Sequence, residues 1–190
     1  GTIRVNGTAV SPQSAGDAVR AGLALVPEER QRQGLHMNLS LRHNLALPGA
    51  ARRDLSRINH AAEEAAARDQ IAALAIKTPD SGVAPDALSG GNQQKVVLGK
   101  WLATRPAVLL LDEPTKGVDV GAKFEIHNLI RREADAGMAC VVVSSDLPEV
   151  LALADRIIVM REGRVRGELA GAAATEEAVM QLATHEVTAA

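Results

Sequence analysis

Two acidic residues stand side by side at the end of an apolar run, where Val108-Leu109-Leu110-Leu111 leads directly into Asp112-Glu113-Pro114. Such a run reads as a buried strand, and ligands of open parallel sheets bind beyond the carboxyl ends of their strands. A carboxylate placed there can hold Mg²⁺ through water, and its neighbour can orient or deprotonate an attacking water. A solvated acidic loop is the competing reading, and it explains poorly why two acids directly follow buried residues. Upstream, Leu88-Ser89-Gly90-Gly91-Asn92-Gln93-Gln94 precedes a helical stretch. The glycines allow close backbone approach, and Ser89 has the chemistry of a helix cap. The helix start would turn free N–H groups and a positive dipole end toward a phosphate. Taken alone, the string reads equally well as an ordinary Ser-Gly-Gly turn entering a capped helix. Two shorter patterns follow. Lys116-Gly117-Val118-Asp119 stands before the next helix, where Asp119 by itself is better explained as an N-cap. Ser144-Ser145-Asp146 closes the next strand.

These residues need elements to hold them. Thr2–Val5, Asn6-Gly7 and Thr8–Val10 predict an antiparallel hairpin with one wet face. Asp17–Ala21 reads as a short helix, Leu23–Val26 as a buried strand stopped by Pro27, and the charged stretch Glu28–Gly34 as a loop. Ile58–Ile76 lacks Gly and Pro and is rich in Ala, Glu, Arg and Gln, which favours helix; Pro79, Gly82 and Pro85 end it. The second half alternates helix Asn92–Ala103, strand Ala107–Leu111, helix Val120–Ala136 and strand Ala139–Val143. In the third of these, Ile126, Leu129, Ile130 and Ala134 form an apolar stripe that Gly137 closes. Pro148 starts a short helix reaching Ala154. Ile157–Met160 and Val165–Leu169 make a hairpin through Glu162-Gly163, and a last helix covers Glu176–Ala183. Apolar strands alternating with helices predict an α/β fold whose parallel sheet is covered on both faces. The helical insert around 58–76 stands apart as a smaller lobe.

Composition narrows the classes further. A chain of 190 residues with 46% hydrophobic content suits one domain with a real core. The net charge of -2, with one Phe, one Trp and no Tyr, argues against a nucleic-acid module, which would need basic excess or stacking aromatics. The longest apolar runs fall far short of the roughly twenty residues that span a bilayer. Cys140, flanked by Ala139 and Val141, reads as a small core residue, which suits a reducing cytoplasm. The chain opens on Gly1 and its first residues already read as strand, which suggests a piece cut from a longer polypeptide.

Leu88–Gln94, Leu109–Pro114, Gly117–Asp119 and Asp155-Arg156-Ile157, in that order, resemble the signature, Walker B, D-loop and final-strand segments of ABC transporter ATPases. The resemblance covers nearly the whole chain and begins just after the family's phosphate-binding loop. Within the family, Leu88–Lys95, Gly117–Lys123 and Ser144–Val150 look like the second cassette of bacterial monosaccharide importers of the ribose, xylose and galactose type. There, one polypeptide carries two cassettes in tandem.

The resemblance implies a P-loop NTPase-like cassette: a parallel sheet core, a helical lobe at roughly 35–103 and an antiparallel edge hairpin. It implies ATP and Mg²⁺ as cofactors and ATP hydrolysis coupled to sugar import. Asp112 would hold the Mg²⁺ through water, with Glu28 beside it on the metal side, and Glu113 would be the catalytic carboxylate. Ser89, Gly90, Gly91 and Asn92 would serve the γ-phosphate bound by a partner cassette, and Asp119 would link the two sites. The loop near Glu28 and the helical lobe would face the membrane permease. A periplasmic sugar-binding protein would act indirectly, and the cassette would lie on the cytoplasmic face of the inner membrane. Three departures stand against the family pattern. Glu28 replaces a loop Gln, Ser145 replaces the switch His, and no Gly-x-x-x-x-Gly-Lys-Ser/Thr loop is present, which is expected to reflect truncation. Ser145 leaves a rival reading, a catalytically weak cassette acting mainly as signature donor. A cassette serving DNA repair or translation is a third, which the neutral charge and Asn92-Gln93-Gln94-Lys95 disfavour.

Overall fold

The computed structural model describes residues 1–50 and 59–184. Two compact units divide the chain, Gly1–Val143 and Ser144–Ala190. The first opens with the expected hairpin, strands β1 (Ile3–Val5) and β2 (Thr8–Val10) paired antiparallel with Ile3 opposite Val10. Asn6 and Gly7 both take positive φ, 49° and 77°, as a tight two-residue hairpin turn requires. Helix α1 (Ala15–Arg20) follows, starting two residues before the expected position because Ser14 caps it by accepting from the Asp17 N–H.

Strands β3 (Leu23–Val26), β4 (Val108–Asp112) and β5 (Ala139–Val143) form the parallel sheet in the order β3-β4-β5. Register places Leu25 beside Leu110 and Leu110 beside Val141, with Asp112 opposite Val143. One face carries Ala24, Val26, Leu109 and Leu111, all at most 3% exposed. The expectation of cover on both faces is corrected on the other side, where Leu25 is 49%, Val141 50% and Val143 59% exposed. Apolar runs reveal which residues avoid water but not how many layers a sheet packs between. Cys140 lies on the covered face, half-buried, and burial pushes its thiol pKa up, consistent with a packing role.

Between β3 and β4 the chain is helical. The stretch read as a loop contains a π-helical turn, Arg30–Gly34. Helix α2 (Leu41–Ala50) runs through Pro48, against propensity, because tertiary packing holds it. Leu41 and Asn44 are fully buried, and the Asn44 side chain bonds the backbone of His36, Leu39 and Ser40. Helix α3 (His60–Ala73) is capped by Asn59 and lies within the expected 58–76 span, whose first residue is outside the described ones. Helix α4 (Gly90–Leu102) begins two residues earlier than expected. Every residue from Gln93 to Lys100 is buried, so α4 is enclosed on all sides rather than amphipathic. Helix α5 (Val120–Asp135) buries Ile126, Leu129 and Ile130 as its stripe predicts, and Gly137 follows at φ 99°.

The second unit holds helix α6 (Leu147–Leu153), the antiparallel pair β6 (Arg156–Arg161) and β7 (Arg164–Ala170), and helix α7 (Glu176–Thr184). Its core gathers Ile157, Val159 and Val179, with Leu147, Leu151 and Leu182 packed against them. No helix among the described residues is long and apolar enough to cross a membrane.

Candidate functional site

At the start of α4 the chain brings four of the expected residues together. Ser89, Gly91, Asn92 and Asp119 line one shallow open hollow of about 170 Å³, with Lys77, Lys95 and Glu125 around it. Ser89 holds the N-cap position with extended backbone, but the expected cap is corrected: its hydroxyl takes no backbone N–H of the helix. It accepts instead from Asn92 Nδ2 at 3.0 Å, while Asn92 Oδ1 accepts from the Lys77 N–H at 2.8 Å. One amide thus ties the helix start to the segment after α3. Asp119 is the N-cap of α5, accepting from the Ala122 N–H at 3.0 Å. It caps and it lines the hollow; the two readings of Asp119 do not compete.

The paired glycines have a reason internal to the fold. A Cβ on Gly91 would lie 2.4 Å from the Ala122 Cβ, closer than real atoms approach. A Cβ on Gly90 would lie 2.7 Å from Arg30 Nη2 and 3.1 Å from the Gly117 carbonyl. Beneath them, the Lys95 ammonium meets Glu125 at 2.5 Å and donates to the Ala75 carbonyl at 3.0 Å. The hydrogen bond and charge of Lys95 hold the Glu125 carboxyl below the usual glutamate range.

The second cluster lies at the carboxyl ends of the strands. Asp112 ends β4, and Glu113 follows with φ 46°, its N–H donating to the Val143 carbonyl at 2.8 Å. A non-glycine residue in the left-handed region costs about 1 kcal/mol or more and is held by its surroundings. It falls here on the second of the two adjacent acids. Glu28 follows β3, whose Val26 pairs with Leu111, and its carboxylate is joined to the Lys116 ammonium. That hydrogen bond and the charges around it raise the Lys116 pKa. Among the described residues no three His, Cys, Asp or Glu side chains gather into a direct metal cluster. Ser145 belongs to the second unit, is exposed, and lies between Ser144 and Asp146, whose N–H donates to the Ser144 hydroxyl at 3.0 Å.

Sequence reasoning missed Arg30, Lys77 and the Lys116–Glu28 pair. Arg30 and Glu28 sit in a charged stretch that looks like solvated loop, and their long-range partners show their engagement, Gln93 and the Lys116 and Gly117 carbonyls for Arg30 and the Lys116 ammonium for Glu28.

A parallel sheet with carboxylates at its strand ends and a glycine-led helix start define an α/β domain of the kind that binds ligands beyond its strand ends. More narrowly, the family model described as ABC transporter matches residues 1–116, and the chain belongs to that family. The chain is 47% identical over 192 residues to a ribose import ATP-binding protein of Streptomyces avermitilis, covering 100% of this chain and 38% of that protein. It is 50% identical over 187 residues to an arabinose import ATP-binding protein of Azospirillum brasilense, covering 96% of this chain and 36% of the relative. A xylose import ATP-binding protein of Moorella thermoacetica is 47% identical over 184 residues, with 97% and 36% covered. The chain therefore spans little more than a third of these relatives' length. A dimeric ATP-binding cassette solved in a post-hydrolysis state with ADP and Pi superimposes with a TM-score of 0.73 at 21% identity. It covers 89% of this chain and 72% of that one, and it establishes the cassette fold.

Proposed function

We propose that this chain is one cassette of an ATPase subunit that energises monosaccharide import, and that it corresponds to the second of two tandem cassettes. The observation that carries the reading is the shared hollow of Ser89, Gly91, Asn92 and Asp119 in a chain about half identical to sugar import ATP-binding proteins. The helix start there offers the Ser89 hydroxyl and backbone N–H groups to a phosphate, here the γ-phosphate of ATP held by a partner cassette. Asp112 would hold Mg²⁺ through water, in keeping with a metal that keeps several waters and needs few protein carboxylates. Bound Mg²⁺ would neutralise phosphate charge. Glu113 orients and polarises the attacking water. Glu28, which follows β3, would join Asp112 on the metal side; its carboxylate is paired with Lys116, which limits any part it takes in metal binding to moments when that pair opens.

The partners of this reading are the second cassette, the membrane permease and, indirectly, a periplasmic sugar-binding protein. The place is the cytoplasmic face of the inner membrane, with the helical lobe 35–103 and the Glu28 segment toward the permease. The names of the relatives lend no support to a degenerate cassette. The test is reconstitution of the full-length subunit with its permease and binding protein, followed by ATPase and uptake assays with ribose, xylose, arabinose and galactose. Sugar-stimulated hydrolysis is expected. Hydrolysis indifferent to every monosaccharide, with no uptake, would sink the transport reading.

A further inference from the structure

Arg30 opens the π-helical turn, half-buried, and its guanidinium reaches two segments at once. Nη1 donates to the Lys116 carbonyl at 2.8 Å and Nη2 to the Gly117 carbonyl at 3.2 Å, both in the loop that leads from Glu113 to Asp119. Nε donates to Gln93 Oε1 at 3.3 Å, in the first turn of α4. Gln93 is itself fixed: it is 3% exposed, receives a second hydrogen bond from Gln31 at 3.0 Å, and donates to the Pro85 carbonyl at 3.0 Å. The guanidinium also fills the space over Gly90, whose Cβ it would exclude, and lies against Gly117, which turns at φ 65°. Lys116 is held from both ends of the residue, its carbonyl by Arg30 and its ammonium by Glu28.

From this geometry we propose that Arg30 is a positioning residue that locks the start of the signature helix to the loop following the catalytic carboxylates. The inference rests on the ATPase reading above. A planar fork with several fixed donors suits the task, because it satisfies two successive carbonyls and a side-chain amide from one place; a lysine offers a point charge and cannot bridge all three. Through this bridge, the loop bearing Asp119 and the turn bearing Ser89 and Gly91 move as one piece. Arg30 touches no reacting atom, so its loss acts on placement of other groups, and misplacement of about 1 Å costs about a hundredfold in rate.

The experiment uses the full-length subunit with its permease and compares wild type, Arg30→Ala and Arg30→Lys. Arg30→Ala is expected to lower kcat about tenfold to a hundredfold while KM for ATP stays within about twofold and Tm is nearly unchanged. Arg30→Lys should recover only part of the loss. Backbone hydrogen exchange on the same proteins should show faster exchange in Arg30→Ala at 89–92 and 116–119 together, and little change elsewhere. Wild-type kcat in Arg30→Ala, full recovery by Arg30→Lys, or a kcat loss that merely follows the folded fraction overturns the proposal, as does unchanged exchange in the two segments. If Arg30→Ala fails to fold, Arg30→Lys decides alone: reduced kcat at unchanged Tm supports the bridge, and wild-type kcat refutes it. A wild-type subunit without ATPase activity would sink the functional reading instead, and the exchange measurement would still judge Arg30.

Discussion

Around the start of α4 the side chains are held by the chain itself, while the outer face of the sheet that carries Asp112 stands bare. Asn92 bridges Ser89 and Lys77, Gln93 is bonded from two sides, and Lys95 is paired in an enclosed helix. Leu25, Val141 and Val143 by contrast present their side chains to solvent on the two strands that flank β4. The first region is preorganised and can keep its geometry without help. The second carries Asp112 at the end of β4, but one face of its sheet stands open, and an apolar face of this kind seeks a cover. The start of α4 is therefore the more robust of the two regions, and the strand ends that carry Asp112 and Glu113 the more dependent.

The hardest blow to the robust region is Gly91→Asp. It sets a negative side chain in the hollow and a Cβ 2.4 Å from Ala122. ATPase activity of the full subunit with permease should be nearly abolished, by more than about a hundredfold, as when a donor to transition-state charge is lost. Packing and charge can be separated. Gly91→Ala alone should lower Tm, at a cost of about 1–3 kcal/mol for an overpacked contact. Adding Ala122→Gly should restore most of that stability and much of the activity. If the pair recovers nothing, the contact between α4 and α5 is not what the glycine protects.

The next test strikes the other region. Glu113→Gln keeps shape and removes the carboxylate that would polarise water, so steady-state ATPase should fall about a hundredfold. Tm should hardly move, because the left-handed backbone at φ 46° is kept in the variant. Comparison with Gly91→Asp sharpens the contrast. Were Glu113→Gln to leave most turnover while Gly91→Asp abolishes it, the cassette would serve chiefly as a signature donor to its partner.

Much of this contrast was legible before the structure. The hairpin turn at Asn6-Gly7, the Asp119 cap and the stripe of α5 follow from local rules of turn chemistry, capping and periodicity. The motif order Leu88–Gln94, Asp112-Glu113 and Lys116–Asp119 brought the candidate residues into view, and the first and third of those motifs meet in one hollow while Asp112-Glu113 stands apart at the strand end. What could not be read is tertiary. Helix α2 defies Pro48 because buried Leu41 and Asn44 hold it, and the turn Arg30–Gly34 exists because its first residue has partners 86 and 87 positions away. Ser89 looked like a cap and became the partner of Asn92, a choice between two nearby donors that sequence does not rank. The bare sheet face was hidden for a similar reason, since a run of valines looks the same whether one or two layers cover it.

That bare face gives a smaller effect. The 190-residue chain by itself should bind an apolar dye such as ANS and scatter light as oligomers. A charge within the patch, Val141→Lys, should cut dye fluorescence severalfold and shift the chain toward monomer, with helix content unchanged by circular dichroism. Val141 is 50% exposed, so a lysine can reach water without disturbing the covered face. A wild-type chain that is monodisperse and dye-silent would mean that the exposed face is covered within the chain in solution, and the dependence drawn above would fail.

The smallest effect lies at the far end of α4, where the robust region carries one uneconomical group. Lys100 is 7% exposed, donates to the Gly34 carbonyl that ends the π-helical turn, and lies 5.3 Å from the centre of the Trp101 ring. Burial lowers its pKa from 10.5 to about 8. A lysine whose folded value is depressed holds fewer protons than the unfolded chain between those two values, so stability rises with pH across that window. Below pH 8 the ammonium is charged in both states, and the cost of burying it is constant. The cation–π contact and the carbonyl partner offset part of that cost, and partial solvent access reduces it further, so a gain on the order of 1 kcal/mol, or about 2–4 °C in Tm, is expected between pH 8 and 10.5. Lys116, with its raised pKa, keeps its pairing with Glu28 across this window and loses it only as the pH rises above 10.5 through its folded value. The informative quantity is the difference between wild type and Lys100→Met in the full-length subunit, in which the contribution of Lys116 cancels. Lys100→Met removes both the costly buried charge and the donor to the Gly34 carbonyl. Its Tm relative to wild type should fall as pH rises from 8 to 10.5, because only the wild type gains there. A relative Tm that stays constant or rises across the window would show that Lys100 is solvated, and that α4 is less enclosed at its end than at its start.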